Sequence, residues 1–284
     1  MKRTLQSYKS GIKPVWCPGC GDYAILRAIQ QAFLDLNLPP EDIAVVSGIG
    51  CSGRLSHYLN TYSLHGTHGR AVPTALGVKA ARPELTVMAV GGDGDGLGIG
   101  GGHIPHAARK NVDMTYLLID NRIYGLTKGQ SSPTTPVGRL TTTSPDGVSE
   151  PPVDVIPVLL SYDVSFVAQT SSLNIPEMTD IIKKAIRHKG FSMVHIFSLC
   201  KTFPVLEADA LKDLLRPLPK DHPCSDKLEA MKWGYSREHL HTGIFYQIEK
   251  PVLEQQLDAR IESSCSFEQR DPTDNIEDLL LRYV

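Results

Sequence analysis

Apolar residues recur along this chain with two spacings, and breaks rich in glycine and proline separate them. Ile25, Leu26, Ile29, Ala32, Phe33 and Leu36 share one face of a 3.6-residue repeat, which predicts an amphipathic helix with Asp22 as its N-cap. The stretch Asn37 to Asp42 breaks that helix. Ile43 to Val46 then reads as a short β-branched strand running into a loop, Ser47 to Gly53. A second helix is expected over Ala71 to Ala81, with Pro83 stopping it. Thr86 to Val90 and Met114 to Ile119 are apolar without polar alternation, as strands buried on both faces are. Between these two lie the glycine-rich loop Gly91 to Gly102 and a helix over Ile104 to Lys110. Further along, strands are expected at Val164 to Ala168 and Ser192 to Phe197, with a helix from Pro176 to His188.

Strands that alternate with helices across residues 20 to 200 imply an α/β fold, a mostly parallel sheet with helices on both faces. Residues 127 to 157 are rich in Thr, Ser, Pro and Gly without periodicity and read as one long loop, a kind of segment often tied to function. Beyond Phe203 the chain is charged, with scattered aromatics and no strand pattern. One domain over residues 1–203 is therefore expected, followed by a helical or irregular C-terminal arm over 204–284 that contacts a partner.

Composition narrows the function classes. The 284 residues are 41% hydrophobic and 21% charged, ordinary for a globular protein. A formal charge of −2 gives no electrostatic case for nucleic acid or an acidic membrane surface. No apolar run approaches the roughly 20 residues of a membrane span, and no apolar core follows the basic N-terminal residues as in a secretory signal. A cytoplasmic location is the expectation. There the cysteines Cys17, Cys20, Cys51, Cys200, Cys224 and Cys265 stay reduced, which leaves metal binding, catalysis or packing for them.

The most informative chemistry lies at strand ends. Asp93, within Gly91-Gly92-Asp93-Gly94-Asp95-Gly96, and Asn121 follow the two buried strands, at the carboxyl edge where open α/β sheets place ligands. Their oxygens suit one Mg²⁺, which shares its remaining positions with phosphate and water. The glycines allow close approach of a diphosphate, and the following helix N-terminus adds amide donors. A dinucleotide site is the rival, because Gly96, Gly98 and Gly101 match GxGxxG. That match begins five residues into the loop, and no ribose-binding acid stands about 20 residues on.

The Gly-Asp-Gly and Asn pair resembles the diphosphate-binding motif of thiamine diphosphate enzymes. The resemblance implies Asp93 and Asn121 side chains and the Ile123 carbonyl as Mg²⁺ ligands, with Gly94, Asp95, Gly125 and Leu126 contacting the cofactor. Cys17-Pro18-Gly19-Cys20 has the spacing for two thiolates on one metal centre, and Cys51 and Cys200 follow strands on the same edge. Four such thiolates suit [4Fe–4S] or tetrahedral zinc, and spacing does not choose between them. Five blocks in order extend the resemblance. WCPGCG, GIGCSGR, HGTHGR, GGDGDGLGIGGGH and DNRIYGLTKGQSSPTT are similar to those of β subunits of 2-oxoacid:ferredoxin oxidoreductases over about residues 10 to 205.

That family implies Cys17, Cys20, Cys51 and Cys200 as [4Fe–4S] ligands, with Ile49, Gly50, Cys51, Ser52 and His68 against the thiamine diphosphate. Cys200 departs from the prolines that flank this cysteine in many relatives, and Cys224 is the fallback. Cys224 and Cys265 otherwise read as ordinary thiols. His103 and His106, near a helix start, are expected to take no direct part. The resemblance also implies a coenzyme A-linked oxidative decarboxylation, 2-oxoglutarate to succinyl-CoA rather than pyruvate as substrate, with electrons leaving to ferredoxin. Between Ile43 and Arg82 the chain has no Asp or Glu to activate the cofactor. The family supplies that glutamate from an α subunit, so the chain is expected to be inactive alone. Arg54, Lys128 and Arg139 lie in loops where they could meet a distal substrate carboxylate. The readings from other classes are a thiamine diphosphate enzyme without redox chemistry and a zinc-stabilised interaction subunit.

Overall fold

The computed structural model describes residues 3–257. Eight strands form one sheet: β1 (Ile43–Ser47), β2 (Tyr62–His65), β3 (Thr86–Gly92), β4 (Met114–Asp120), β5 (Phe166–Ser171), β6 (Phe191–Phe197), β7 (Leu215–Pro217) and β8 (Leu240–Gln247). Their order across the sheet is β2-β1-β3-β4-β6-β5-β8-β7. All neighbours pair in parallel except β8, which runs antiparallel to β5. Seven α-helices lie among the described residues: α1 (Asp22–Asp35), α2 (Ala71–Ala81), α3 (Ile104–Lys110), α4 (Val155–Ser161), α5 (Ile175–Arg187), α6 (Ala208–Leu214) and α7 (Lys227–Gly234).

Alternate residues of each central strand feed two separate cores, as the period of two requires. From β4, Met114, Tyr116 and Leu118 enter one core together with residues of α2, α3 and α4. Leu117 and Ile119 enter the other with Ile25, Ile29 and Phe33 of α1 and Met178 and Ile182 of α5. Both faces are covered, and for that reason the strands carry no polar alternation. The parallel α/β sheet expected from the sequence is present.

Several local expectations change. Asp22 is not the cap of α1: Gly21 occupies the N-cap, and Asp22 is the first helical residue, buried. The short edge strand β2 was not anticipated, and all four of its residues are exposed, so it carries no apolar signal. The long loop ends three residues early, because α4 starts at Val155 with Pro157 within its first turn. The segment after residue 203 is not an arm on the domain. It contributes β7, β8, α6 and α7, and β8 hydrogen-bonds to β5 within the sheet. A register shift at Val167/Ala168 breaks the alternation of burial along β8 and hides its period. The remainder of the expected arm, with Cys265, lies outside the described residues. No helix among the described residues is long and apolar enough to cross a membrane.

Candidate cofactor site

Three parallel strands deliver the site. β3 ends at Gly92 opposite Ile119 of β4, so Asp93 and the pair Asp120-Asn121 emerge side by side at the carboxyl edge. β1 ends beside them, where Gly48 N donates to Val90 O. The chains leaving these strands enclose a cavity of about 450 Å³. Its lining includes Ile49, Gly50, Cys51, Ser52, His68, Asp93, Gly94, Asp95, Asn121, Ile123, Gly125 and Leu126, every residue assigned to the cofactor or Mg²⁺ from the sequence. Tyr124, Thr127 and Gln130 also line it and were not anticipated.

Asn121 and Ile123 are arranged by a tight turn. Asn121 Oδ1 accepts from Ile123 N at 3.0 Å, an Asx turn, and Arg122 between them takes a positive φ of 62°. Asp93 is buried, and its Oδ2 accepts from Thr134 Oγ1 at 2.9 Å. Burial, and then the adjacent Asp120, push the Asp93 carboxyl up to about 7. Burial alone would raise Asp120 too, but the hydrogen bond and charge of His195, with Arg122 and Thr134, hold it below the usual range. A dicarboxylate environment so disfavoured for a second negative charge is one that a divalent cation would relieve.

Asp95, besides lining the cavity, holds the surrounding loops. Its Oδ1 accepts from Ile49 N at 2.9 Å and Gly69 N at 2.7 Å and lies 3.0 Å from His68 Nδ1. One carboxylate thereby ties the loop after β1 and the loop before α2 to the glycine loop, and it orients His68 at the cavity wall.

The four strand-edge cysteines lie on the neighbouring surface, and among the described residues they are not gathered into a group of three or more that could hold a metal ion. Cys20 N donates to Cys17 O, closing the CxxC turn, and Gly21 N donates to Leu199 O, bringing that turn to the end of β6. Trp16 Nε1 donates to Cys51 O at 2.7 Å. A Cβ placed on Gly125 would stand 3.3 Å from Cys200 Sγ and 3.9 Å from Cys51 Sγ, so both sulfurs flank that one residue. Cys17 is exposed, and Cys20, Cys51 and Cys200 are half-buried. Burial, then Asp22, pushes the Cys20 thiol well up, and burial followed by Asp22, Cys200 and Cys17 raises Cys51 to about 11. Cys224 stands apart, with its Sγ directed at the carbonyls of His222 and Ile244.

The basic residues proposed for substrate are not brought to the cavity wall. Arg54 is half-buried in the 3-10 turn after Cys51, and Lys128 is exposed in the turn after Gly125. Neither lines the cavity, nor do His103 and His106. Arg139 donates to Pro204 O, which commits it to holding the long loop against the chain after β6.

Comparison with known proteins agrees with this geometry. Residues 48–196 match the family described as thiamine pyrophosphate enzyme, C-terminal TPP binding domain. The chain is 37% identical over 293 residues to the 2-oxoacid:ferredoxin oxidoreductase subunit beta of Saccharolobus solfataricus, covering 93% of this chain and 95% of that one. It is 37% identical over 252 residues to the 2-oxoglutarate synthase subunit KorB of Methanocaldococcus jannaschii, covering 87% and 93%. Its fold superposes with a TM-score of 0.92 on a 2-oxoglutarate:ferredoxin oxidoreductase from Magnetococcus marinus solved with 2-oxoglutarate, coenzyme A and succinyl-CoA bound. That match is 41% identical and covers 98% of this chain and 96% of the other.

Proposed function

Since the chain belongs to the β subunits of the thiamine diphosphate-dependent 2-oxoacid:ferredoxin oxidoreductases, we propose that it forms half of a 2-oxoglutarate enzyme. In this reading it holds thiamine diphosphate through Mg²⁺ and carries a [4Fe–4S] cluster. One observation carries the proposal: Cys51 and Gly125 line the cofactor cavity, while the Cys51 and Cys200 sulfurs flank Gly125. The cavity and the cysteine group share a wall, so electrons released in one reach the other over a short path.

When bound, thiamine diphosphate supplies the carbon nucleophile and electron sink for decarboxylating a 2-oxoacid, and the cluster accepts electrons singly. The chain's own residues bind and orient. Asp93, the second lone pair of Asn121 Oδ1 and the Ile123 carbonyl would hold the ion, a hard-oxygen set suited to Mg²⁺. Gly94 and the amides beyond it would face the diphosphate. Asp95 keeps Ile49 and His68 in place at the wall. For the cluster, Cys17, Cys20, Cys51 and Cys200 would supply the four thiolates, drawing together when the irons bind. Thiols raised by burial become ligands beside a strongly cationic centre, which is what the irons provide.

Among the described residues, the carboxylates lining the cavity are Asp93, assigned here to the ion, and Asp95, whose Oδ1 is held by Ile49, Gly69 and His68 and whose unpartnered Oδ2 is seated against Gly48. In this reading the group that activates the aminopyrimidine enters from an α subunit, which also contributes to binding 2-oxoglutarate and coenzyme A. Ferredoxin takes the electrons, and the complex works in the cytoplasm. Calorimetry on the anaerobically purified complex tests the cofactor site. Thiamine diphosphate should bind only with Mg²⁺ present, and Asp93→Ala should abolish that binding. Unchanged affinity in the variant would overturn the assignment.

A further inference from the structure

A chain of buried hydrogen bonds runs away from the cavity behind Asp93. Thr134 Oγ1 lies 2.9 Å from Asp93 Oδ2 and 2.8 Å from Asp120 Oδ1. Asp120 Oδ2 lies 2.9 Å from His195 Nε2, and His195 Nδ1 lies 2.8 Å from Gln169 Oε1. Gln169 Nε2 donates to His241 O at 2.6 Å, which fixes the amide so that its oxygen faces the imidazole. Asp93, Asp120 and His195 are each 2% exposed, Thr134 5% and Gln169 6%. The far members line a second cavity of about 240 Å³ with Arg122 and His241, outside the cofactor cavity.

The donor count makes this more than packing. Both ring nitrogens of His195 are held, Nε2 by Asp120 Oδ2 and Nδ1 by Gln169 Oε1, so the ring is fixed at both ends. The contact gives Asp120 the hydrogen-bond partner that a buried carboxylate needs. Thr134 has one hydroxyl proton for two carboxylates and therefore couples the orientation of one to the other. Asp93 Oδ2 is thus committed to Thr134, which leaves its other oxygen for an ion in the cavity.

We infer that Thr134, Asp120 and His195 are positioning residues that lock the metal-ligating rotamer of Asp93. Together they form an outer hydrogen-bonded support of a metal ligand, an arrangement whose loss costs roughly 10- to 100-fold in metal affinity. The inference rests on the Mg²⁺–thiamine diphosphate reading above. Thr134 reaches Asp93 from the long polar loop and His195 stabilises Asp120 from the middle of β6, so neither contacts the cofactor itself.

The test is a Mg²⁺ titration of the α–β complex at fixed thiamine diphosphate, followed by intrinsic fluorescence, with the melting temperature of the metal-free complex measured in parallel. Thr134→Val removes the hydroxyl at nearly constant volume and should raise the Mg²⁺ half-saturation about 10- to 100-fold. Thr134→Ser keeps the hydroxyl and should restore wild-type binding, a rescue that a purely space-filling role would not produce. A Thr134→Val complex with wild-type Mg²⁺ dependence, or a Ser variant as impaired as the Val one, would overturn the inference. If the Val variant does not fold, His195→Gln decides by the same titration, with weakened Mg²⁺ binding supporting the relay and unchanged binding refuting it. A wild-type complex without Mg²⁺-dependent cofactor binding would overturn this inference together with the reading beneath it.

Discussion

Gly48 and Asp95 are so close that a Cβ on Gly48 would stand 1.9 Å from Asp95 Oδ2. The carboxylate that organises the cavity wall is therefore seated against bare backbone. Gly48→Ala should displace Asp95 and loosen its contacts with Ile49, Gly69 and His68. We expect thiamine diphosphate affinity to fall at least about tenfold, as for loss of other outer supports of a site. Secondary structure should be retained by circular dichroism, and wild-type affinity in the calorimeter would refute the constraint.

The cysteine assignment separates by substitution. Cys17→Ser, Cys20→Ser, Cys51→Ser and Cys200→Ser should each lower iron content and bleach the broad visible absorbance of anaerobically purified protein. Cys224→Ser should leave both unchanged, because its sulfur faces the His222 and Ile244 carbonyls. About four iron atoms per chain are expected for a [4Fe–4S] cluster, and one zinc with no iron would reverse the assignment.

His188 predicts an acid-side loss of stability. Its Nε2 lies 2.9 Å from Ser165 Oγ, its ring packs against Phe166, and burial lowers its pKa despite opposing fields from Asp113 and Glu249. Above about pH 6.5, the ordinary histidine value, both folded and unfolded chains hold it neutral. As pH falls below that value, the unfolded chain takes up a proton that the folded chain refuses, so stability drops until the lowered folded pKa is reached. His188→Gln should flatten this part of the curve. Urea midpoints at pH 7.5 and 5.5 check it, and equal slopes for both proteins would reject the assignment.

Purified without a partner, the chain should neither decarboxylate 2-oxoglutarate nor reduce ferredoxin. Adding the α subunit should restore both activities. The reason is that, among the described residues, the carboxylates lining the cavity are Asp93, assigned to the ion, and Asp95, seated against Gly48. Robust turnover by the isolated chain would show that the activating group belongs to this subunit.

Much of the site was legible because each block is local. Residues 48–53, 91–96 and 121–126 are contiguous strand-to-loop junctions, and a parallel sheet brings its strand ends to one edge whatever the side-chain detail. The apolar runs of β3 and β4 marked those junctions without ambiguity. The Asp93-Thr134-Asp120-His195 chain was not legible, since its members lie 14 to 75 residues apart in their contacts and come from two strand ends, a loop and a strand interior. Thr134 lies in an aperiodic polar stretch that gives no sign of burial, yet it is 5% exposed.

The sequence by itself determined the class of fold, the order of its central elements and the cofactor edge, because burial on both faces demands uninterrupted apolar strands and diphosphate binding demands glycine at their ends. Only the tertiary structure decided that the chain beyond residue 203 completes the sheet. β8 holds Gly243 and an irregular register, and its backbone finds its hydrogen bonds along β5 rather than through any local preference. Tertiary structure also decided which polar groups stand behind Asp93. Hydrogen bonds between distant residues depend on how the elements pack, and packing leaves no period in the sequence.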